Sequence, residues 1–281
     1  MKSLMLKLLI IALSVNILFA GAIEEKVLEF LSKSTRATKN YKIKDIKIES
    51  SQNLPDINDW RVYFIKIDLE LVDKNRSITV SDKIFTNGKL VAKDLIDINT
   101  GRSIKSDFVL NFDEKFYNRD NIIAGEENAP NRLAIFSDPM CPFCKKFMPD
   151  IINFVNKHPK QFVLYYYHFP LNIYPQSLPL IKASLAAKKK GIKDVDLKVY
   201  KKVFKFKKTD GEKEVLKAFN KALKTEITLE EMNQKDVLKQ IEDDMKIANQ
   251  LGLNSAPRLF TNGKIDNNKD IYKKLLKWKD L

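Results

Sequence analysis

Cysteine and histidine are scarce in this sequence. Its 281 residues include two cysteines, Cys141 and Cys144, and two histidines, His158 and His168. A disulfide between two cysteines this close closes too small a loop to stabilise the chain much by restricting its unfolded state. This weakens the alternative that the two cysteines form a structural disulfide. The length is instead sufficient for two ordinary domains, each with its own hydrophobic core.

Long apolar runs are absent beyond the N terminus. Residues 1–22 contain Lys2 and Lys7, an apolar run that continues to Phe19, and small residues around Ala22. This order is typical of a cleaved secretory signal peptide. The alternative, a membrane anchor, needs about 20 consecutive apolar residues. No cysteine follows the expected cleavage site, which excludes lipid attachment there, and we expect export to an oxidising space outside the cytoplasm.

Acidic residues are too few to balance the basic ones. The formal net charge is +14, of which +13 lies in residues 129–281, and eleven lysines fall within residues 182–208. Such a stretch could attract acidic partners or an anionic membrane surface. We favour the simpler alternative, a solvated helical face. Nucleic acid is not an expected partner, because no nucleic-acid-binding motif accompanies the lysines.

Residues 23–113 are predicted to form a small α+β domain. Apolar residues recur at helical spacing from Ile23, and apolar and charged residues alternate over 65–71 as in a half-buried strand. The pentapeptide FTNGK, at 85–89, contains the Asn-Gly pair typical of a β-hairpin. Because FTNGK recurs at 260–264, we expect the same hairpin in both places. This domain contains no catalytic constellation.

Residues 114–130 are polar and end in Gly, Asn and Pro, which predicts a linker. After them, the apolar runs RLAIFSD and QFVLYYYHF are typical of strands buried on both faces. The cysteines begin a helix between these runs, which gives a βαβ unit with reactive residues at the carboxyl end of the first strand. A lysine-rich helical region follows at about 178–250, and then a strand, a turn, a strand and an amphipathic helix.

The two cysteines are predicted to have different environments. Pro142 follows Cys141, and because Pro is favoured at the first position of a helix, Cys141 falls at the N-cap. There the helix N terminus favours a thiolate, so we expect Cys141 to be exposed with a lowered pKa, helped by the charges of Lys145 and Lys146. Cys144 belongs to the buried stripe of the helix, as a resolving thiol should.

Zinc coordination is the main alternative for the cysteines. The spacing Cys-x2-Cys-x13-His, which ends at His158, is close to that of a zinc finger, but nine residues rather than three to five separate His158 from His168. Pro142 would also stiffen the turn, and Cys144 belongs to a core-facing stripe. We therefore expect no metal, and interpret His158 as a helix-end residue and His168 as a strand-end residue.

The stretch around Cys141 resembles the active site of the thioredoxin-fold oxidoreductases, specifically their bacterial disulfide-bond (Dsb) branch. CPFC begins a helix after a buried strand, Pro149 stands where the family's helix is kinked, and NSAPRLFTNGKI is similar to the family's cis-proline loop and hairpin. The resemblance covers residues 125–281. It implies an α/β thioredoxin fold over 131–281 with a helical insertion, and a cis Pro257 facing the cysteines.

The layout of a small α+β domain, a linker and a catalytic domain is similar to that of the DsbC and DsbG disulfide isomerases. It implies a cystatin-like N-terminal domain that forms a homodimer around a substrate cleft. Cys141 would attack, Cys144 would resolve, and their redox-active disulfide would replace any cofactor. Pro257 would leave the opposing backbone free for an extended substrate and block metal at the thiols. The implied partners are misoxidised periplasmic proteins and a membrane redox partner.

Three positions depart from the pattern of the strongest oxidases. Ala256 precedes the expected cis-proline where relatives often have Thr or Val, Ile135 stands where some oxidases have a buried acid, and Phe143 replaces a histidine. Each departure favours a disulfide isomerase or reductase over a DsbA-like oxidase. A periplasmic holdase chaperone and a thiolate metal-handling protein remain alternatives from other classes. The expected site consists of Cys141, Pro142, Phe143, Cys144, Ala256 and Pro257.

Overall fold

The structure, a computed structural model, divides the chain into two compact units, Met1–Phe108 and Val109–Leu281. It describes residues 21–34, 41–55, 57–72, 76–207 and 209–276. The predicted signal peptide lies outside the described residues over its first 20 positions. In the part of the chain that is described, no helix has the length and apolar character needed to cross a membrane.

In its described residues, the first unit contains an α-helix, an antiparallel sheet and a short 3-10 helix. Residues 21–34 form α1, whose buried Val27 and Leu31 lie one turn apart and pack with Tyr63 and Ile84 of the sheet. The sheet order is β1-β2-β3-β4. Its strands are β1 (Tyr41–Asn53), β2 (Arg61–Leu71), β3 (Arg76–Thr86) and β4 (Val91–Ala92), and the 3-10 helix Lys105–Asp107 follows.

The first FTNGK segment forms a four-residue turn between β3 and β4. Thr86 pairs with Val91. The carboxamide oxygen of Asn87 accepts the backbone N–H groups of Lys89 and Leu90 at 3.1 and 2.8 Å. The Asn87 side chain therefore closes the turn by bonding within it.

The second FTNGK segment forms a different turn, so our expectation of one shared hairpin is wrong. Here Thr261 pairs with Lys264, and the two-residue turn consists of Asn262 and Gly263, both with positive φ. The Asn262 carboxamide oxygen accepts the N–H of Arg132, on a different strand, at 2.8 Å. Because the Asn side chain has a distant partner in this turn and local partners in the other, identical residues adopt two geometries.

The second unit is a five-stranded mixed sheet with helices on both faces. The strand order is β5-β7-β6-β8-β9; β6 and β7 are parallel and the other pairs antiparallel. The strands are β5 (Ile122–Gly125), β6 (Asn131–Ser137), β7 (Phe162–His168), β8 (Arg258–Thr261) and β9 (Lys264–Ile265). The predicted βαβ unit is β6-α2-β7, and five helices lie in the described part of the predicted insertion between β7 and β8. The helices are α2 (Pro142–Lys157), α3 (Ser177–Lys189), α4 (Val195–Lys201), α5 (Glu212–Leu223), α6 (Leu229–Met232), α7 (Lys235–Gln250) and α8 (Ile271–Lys274).

The central strands are buried on both faces. On β6, Leu133 and Ile135 belong to the core that contains α2, whereas Ala134 and Phe136 belong to the core on the opposite face. Side chains of a strand alternate between its two faces. Two covered faces therefore explain why this strand has a continuous apolar sequence.

Residues 114–130, predicted to be a linker, belong to the second unit. Two 3-10 helices lie there, Glu114–Phe116 and Arg119–Asn121, followed by β5, which pairs with β7. The boundary between the units therefore falls at Phe108 and not after residue 113. Gly125 has φ +83°, and a Cβ there would lie 2.0 Å from the Phe162 carbonyl oxygen. The glycine that suggested a linker is instead required by a close strand contact.

The lysine-rich stretch is not simply a solvated face. Lys182 on α3 is 8 % exposed, and its ammonium lies 2.5 Å from the Glu212 carboxylate on α5. Lys189 pairs at 2.7 Å with Asp236 of α7. Acidic residues of later helices therefore neutralise part of a charge that looks unbalanced within residues 182–208.

Candidate active site

Both cysteines lie at the N terminus of α2, directly beyond β6. Cys141 is the N-cap and Pro142 the first helical residue, as the sequence predicts. The N–H of Cys141 donates to the Asp138 carbonyl at 3.1 Å, and the N–H of Lys145 donates to the Cys141 carbonyl at 2.9 Å. A short backbone-bonded turn therefore connects the strand to the helix and fixes the first cysteine.

Cys141 is buried, contrary to the prediction that it is exposed. It is 3 % exposed, Cys144 is fully buried, and both are free thiols within the core on the α2 side of the sheet. Phe143, between them, is 75 % exposed. The partly buried apolar residues that pack against this core include Met140, Leu171, Tyr174 and Ala256. The two cysteines therefore differ in electrostatics rather than in exposure.

The pKa of Cys141 is lowered to about 6. The largest cause is a hydrogen bond with the Cys144 side chain; burial opposes it, and the backbone N–H groups of Cys144 and Phe143 reinforce it. The helix N terminus therefore contributes as predicted, but less than the neighbouring thiol does. Because this pKa lies below neutral pH, the thiolate is the favoured form of Cys141 at neutral pH.

The pKa of Cys144 is raised far above its ordinary value. Burial is the largest cause, and the hydrogen bond to Cys141 adds to it. The backbone N–H of Asp138 and the side chain of Ser137 act in the opposite direction. At neutral pH the pair therefore consists of one thiolate and one thiol, which is the asymmetry expected of an attacking and a resolving cysteine.

The loop before β8 lies beside Cys141. The Ala256–Pro257 peptide bond is cis, the geometry that the resemblance implied, and the Cys141 Sγ lies 3.6 Å from the Ala256 carbonyl oxygen. Arg258 pairs with Phe136 of β6, which places the loop at the carboxyl end of the strand that leads to the cysteines. Ala256 thus contacts the thiol through its backbone, and its small side chain does not prevent this contact.

Asp138 is a buried carboxylate that the sequence interpretation missed. It accepts the N–H groups of Met140 at 2.7 Å and Leu171 at 2.8 Å, and the Ser177 hydroxyl at 2.7 Å. Burial, the largest effect, raises its pKa against these bonds. Ile135, where we expected any buried acid, is an apolar core residue. The sequence feature that could have identified Asp138 is an acidic residue directly after a buried strand, three positions before the first cysteine.

Three buried hydroxyl groups that contact one another were also missed. They belong to Ser137 at the end of β6, Tyr166 on β7 and Tyr200 on α4. The Tyr200 hydroxyl donates to the Ser137 Oγ at 2.8 Å, and the Tyr166 and Tyr200 hydroxyls lie 2.8 Å apart. Because the three residues come from three separate elements, no sequence pattern links them.

The two histidines have the structural positions that the sequence predicts. His158 is the C-cap of α2, at the opposite end of the helix from Cys141. His168 ends β7, where its Nδ1 lies 2.6 Å from the Asp244 carboxylate. Across the described ranges, no three Cys, His, Asp or Glu side chains are grouped so that they could hold a metal ion.

Several solved structures are similar to this chain. The thiol-disulfide exchange protein α-DsbA2 from Wolbachia pipientis is 19% identical with a TM-score of 0.46, over 58% of this chain and 89% of that one. ScsC from Proteus mirabilis is 21% identical with a TM-score of 0.46, over 59% and 76%. A periplasmic thioredoxin-like protein from Salmonella enterica serovar Typhimurium is 15% identical with a TM-score of 0.47, over 60% and 98%.

The sequence itself matches a known family. No curated protein matches the chain, but the sequence model of the family described as Thioredoxin matches residues 117–280. That match spans more than half of the chain and contains every residue of the expected site. This protein therefore belongs to the thioredoxin family.

Proposed function

We propose that this protein is a periplasmic disulfide isomerase or reductase that acts on misoxidised exported proteins. The observation that carries the proposal is the asymmetric pair, a Cys141 with a pKa of about 6 beside a Cys144 whose pKa is raised by burial. The thiolate is the nucleophile in thiol–disulfide exchange. A reduced pair of this kind can attack a substrate disulfide at neutral pH.

The reaction begins when the Cys141 thiolate attacks one sulfur of a substrate disulfide. A bond forms between that sulfur and Cys141, the substrate S–S bond breaks, and the second substrate sulfur leaves as a thiolate and takes up a proton. In isomerisation, a substrate thiolate later attacks the mixed disulfide and regenerates Cys141. In reduction, Cys144 loses its proton, attacks the Cys141 sulfur and releases the substrate, which leaves the pair oxidised.

The substrate would approach along the Ala256–Pro257 loop. Proline has no backbone N–H, and we assign Pro257 the role of leaving the opposing backbone free to pair with an extended segment and of blocking metal at the thiols. The 3.6 Å distance between the Ala256 carbonyl oxygen and the Cys141 Sγ supports this placement. The exposed Phe143 would add an apolar contact with an unfolded client.

Three positions favour the isomerase or reductase over an oxidase. Ile135 is a core residue, and no acid stands in its place. Phe143 is a neutral side chain exposed to solvent, so it supplies no cation that would stabilise the thiolate further. Ala256 contributes no side-chain contact beyond its methyl group. A less stabilised thiolate makes the disulfide form less oxidising.

The remaining partners follow from the same proposal. An isomerase needs a membrane redox partner that keeps its cysteines reduced, and a homodimer would enclose its clients in a cleft. In the first unit, β1 and β4 are the edge strands of the described sheet. An open edge can pair with a second copy of the chain.

Reduction of insulin and refolding of scrambled ribonuclease test the proposal. The wild type should accelerate both reactions, and Cys141→Ser should accelerate neither. Cys144→Ser should still attack but should accumulate a mixed disulfide. Faster oxidation of reduced ribonuclease than refolding of the scrambled form would identify an oxidase instead. Aggregation suppression that survives Cys141→Ser, without either redox activity, would identify a holdase, and stoichiometric bound metal would identify a metal-handling protein.

A further inference from the structure

Resolution requires Cys144 to become a thiolate inside the core, where burial opposes its ionisation. The position at which some oxidases carry a buried acid is occupied by Ile135. Asp138 acts on Cys144 through its backbone N–H, while its carboxylate is occupied by Met140, Leu171 and Ser177. The group that favours the Cys144 thiolate should therefore lie elsewhere around the sulfur.

Three hydroxyl groups form a row whose last member, Ser137, lowers the pKa of this thiol. The Tyr166 hydroxyl lies 2.8 Å from that of Tyr200, and the Tyr200 hydroxyl donates to the Ser137 Oγ at 2.8 Å. Because the Ser137 oxygen accepts this bond, its own hydrogen can be directed at Cys144, whose pKa the Ser137 side chain lowers. The Tyr166 hydroxyl has one other acceptor within reach, the Ser137 carbonyl oxygen at 3.4 Å.

The environment of the row keeps its members neutral. Ser137, Tyr166 and Tyr200 are each less than 5 % exposed. Burial, the largest cause in both tyrosines, raises their pKa values well above the ordinary range. Neutral hydroxyls in a row polarise one another in a medium of low dielectric, so that each strengthens the donor that follows it.

We propose that Ser137, Tyr200 and Tyr166 form a one-directional row of hydrogen-bond donors that stabilises the Cys144 thiolate during resolution of the mixed disulfide. This inference rests on the proposed function. Ser137 faces the reacting sulfur, and the two tyrosines are positioning residues that act through it. Tyr200 comes from the helical insertion, which gives that insertion a part in the chemistry of the cysteine pair.

In the resolving step, the three hydroxyl groups neither gain nor lose a proton overall. The electron pair of Cys144 forms the bond to the Cys141 sulfur, and the bond from Cys141 to the substrate sulfur breaks. The substrate leaves with the electrons of that bond and takes up the proton that Cys144 gave up. The hydroxyl row lowers the energy of the intervening thiolate and is itself unchanged.

Other ionisable groups also act on this thiolate. The charged and titratable side chains coupled electrostatically to Cys144 are Cys141, Tyr166, Tyr174, Tyr200 and Lys269. Asp138 and Asp196 act on Tyr166 in turn. A variant that tests the row must therefore remove a hydroxyl without removing a charge.

Tyr200→Phe and Tyr166→Phe meet this condition, and Tyr167→Phe is the matched control. The Tyr167 hydroxyl is also buried but donates to the Phe116 carbonyl oxygen at 2.6 Å, and its ring belongs to the core on the opposite face of the sheet. In the full chain, the decay of a mixed disulfide with a cysteine-containing peptide is followed over a pH series. Alkylation of Cys141 reports the attack step separately.

Tyr200→Phe should slow resolution by about three- to tenfold, the effect of one lost hydrogen bond between neutral groups, and should move the midpoint of the pH profile upward. Tyr166→Phe should act in the same direction with a smaller effect, and Tyr167→Phe should change neither quantity. Alkylation of Cys141 should stay within about twofold of the wild type in all three variants, because the attack step does not use the row.

The route through Ser137 is tested in a Ser137→Ala background, where Tyr200→Phe should slow resolution no further. The inference is overturned if Tyr200→Phe and Tyr167→Phe resolve at equal rates, or if Tyr200→Phe has its full effect without the Ser137 hydroxyl. If Ser137→Ala does not fold, the comparison of the three tyrosine variants alone decides. A wild type that forms no mixed disulfide would instead contradict the proposed function.

Discussion

At the scale of single residues, Cys144 has two effects on Cys141. Its side-chain hydrogen bond is the largest cause of the lowered pKa of Cys141, and the same sulfur is the nucleophile in the proposed resolving step. The N-cap position of Cys141 could be predicted because Pro142 fixes it locally. Its burial could not, because Ala256, which contacts the thiol, is 115 residues away in the chain.

Removal of the Cys144 thiol should raise the pKa of Cys141. In Cys144→Ala we expect the midpoint of iodoacetamide alkylation against pH to move up from about 6 by about one unit, the size of one hydrogen bond to a charged group. Cys141→Ala is the control, since it should abolish alkylation at low pH. An unchanged midpoint in Cys144→Ala would show that the helix N terminus alone activates Cys141.

The same pKa predicts how the stability of the reduced protein depends on pH. The pKa of Cys141 falls from an ordinary value of 9.0 to about 6 on folding, so its ionisation stabilises the fold fully above about pH 9 and loses this effect as pH falls through about 6. The free energy of unfolding of the wild type should therefore rise relative to Cys141→Ser between these values. Denaturant unfolding in the presence of a reductant measures this difference, and parallel curves would contradict it.

At the scale of elements, β6, α2 and β7 could be predicted because their apolar residues follow the period of the element they form. The linker prediction for residues 114–130 was wrong because composition does not show that β5 pairs with β7. The FTNGK turns differ for a similar reason, since the partner of each Asn side chain is decided by tertiary contacts. Patterns within one element were therefore informative, whereas contacts between elements were not.

Gly125→Ala tests whether β5 is part of the second unit. The change should lower the free energy of unfolding by about 2–4 kcal/mol, because it combines a strained positive φ with a clash against the Phe162 carbonyl. Gly101→Ala is the matched control, with φ +67° and open space around the new Cβ, and should cost about 1 kcal/mol. If denaturant unfolding shows the same loss in the free energy of unfolding for both variants, the result would support the prediction that residues 114–130 are a linker.

At the scale of the whole molecule, each unit has a hydrophobic core of its own. The cysteine pair, the Ala256–Pro257 loop and the hydroxyl row all belong to the second unit. The sequence predicts that the catalytic residues lie in the second unit, because the first unit contains neither cysteine nor histidine. What the first unit contributes is the proposed dimer, which would separate an isomerase from a simple reductase.

Residues 109–281 alone should therefore fold and reduce insulin at a rate close to that of the full chain. They should lose most of the activity on scrambled ribonuclease, because that reaction needs the client to be retained while its disulfides are rearranged. The fragment with Cys141→Ser controls for background reduction. A fragment that refolds scrambled ribonuclease as well as the full chain would contradict the role of the first unit.

The redox state of the pair in the living cell tests the central claim most directly. Proteins are precipitated with acid, free thiols are alkylated with a reagent that adds a large mass, and the chain is resolved by gel electrophoresis. An isomerase or reductase that attacks through the Cys141 thiolate should gain two mass tags, because both cysteines are kept reduced. A chain that gains none, with Cys141 and Cys144 joined as a disulfide, would contradict the account and identify an oxidase.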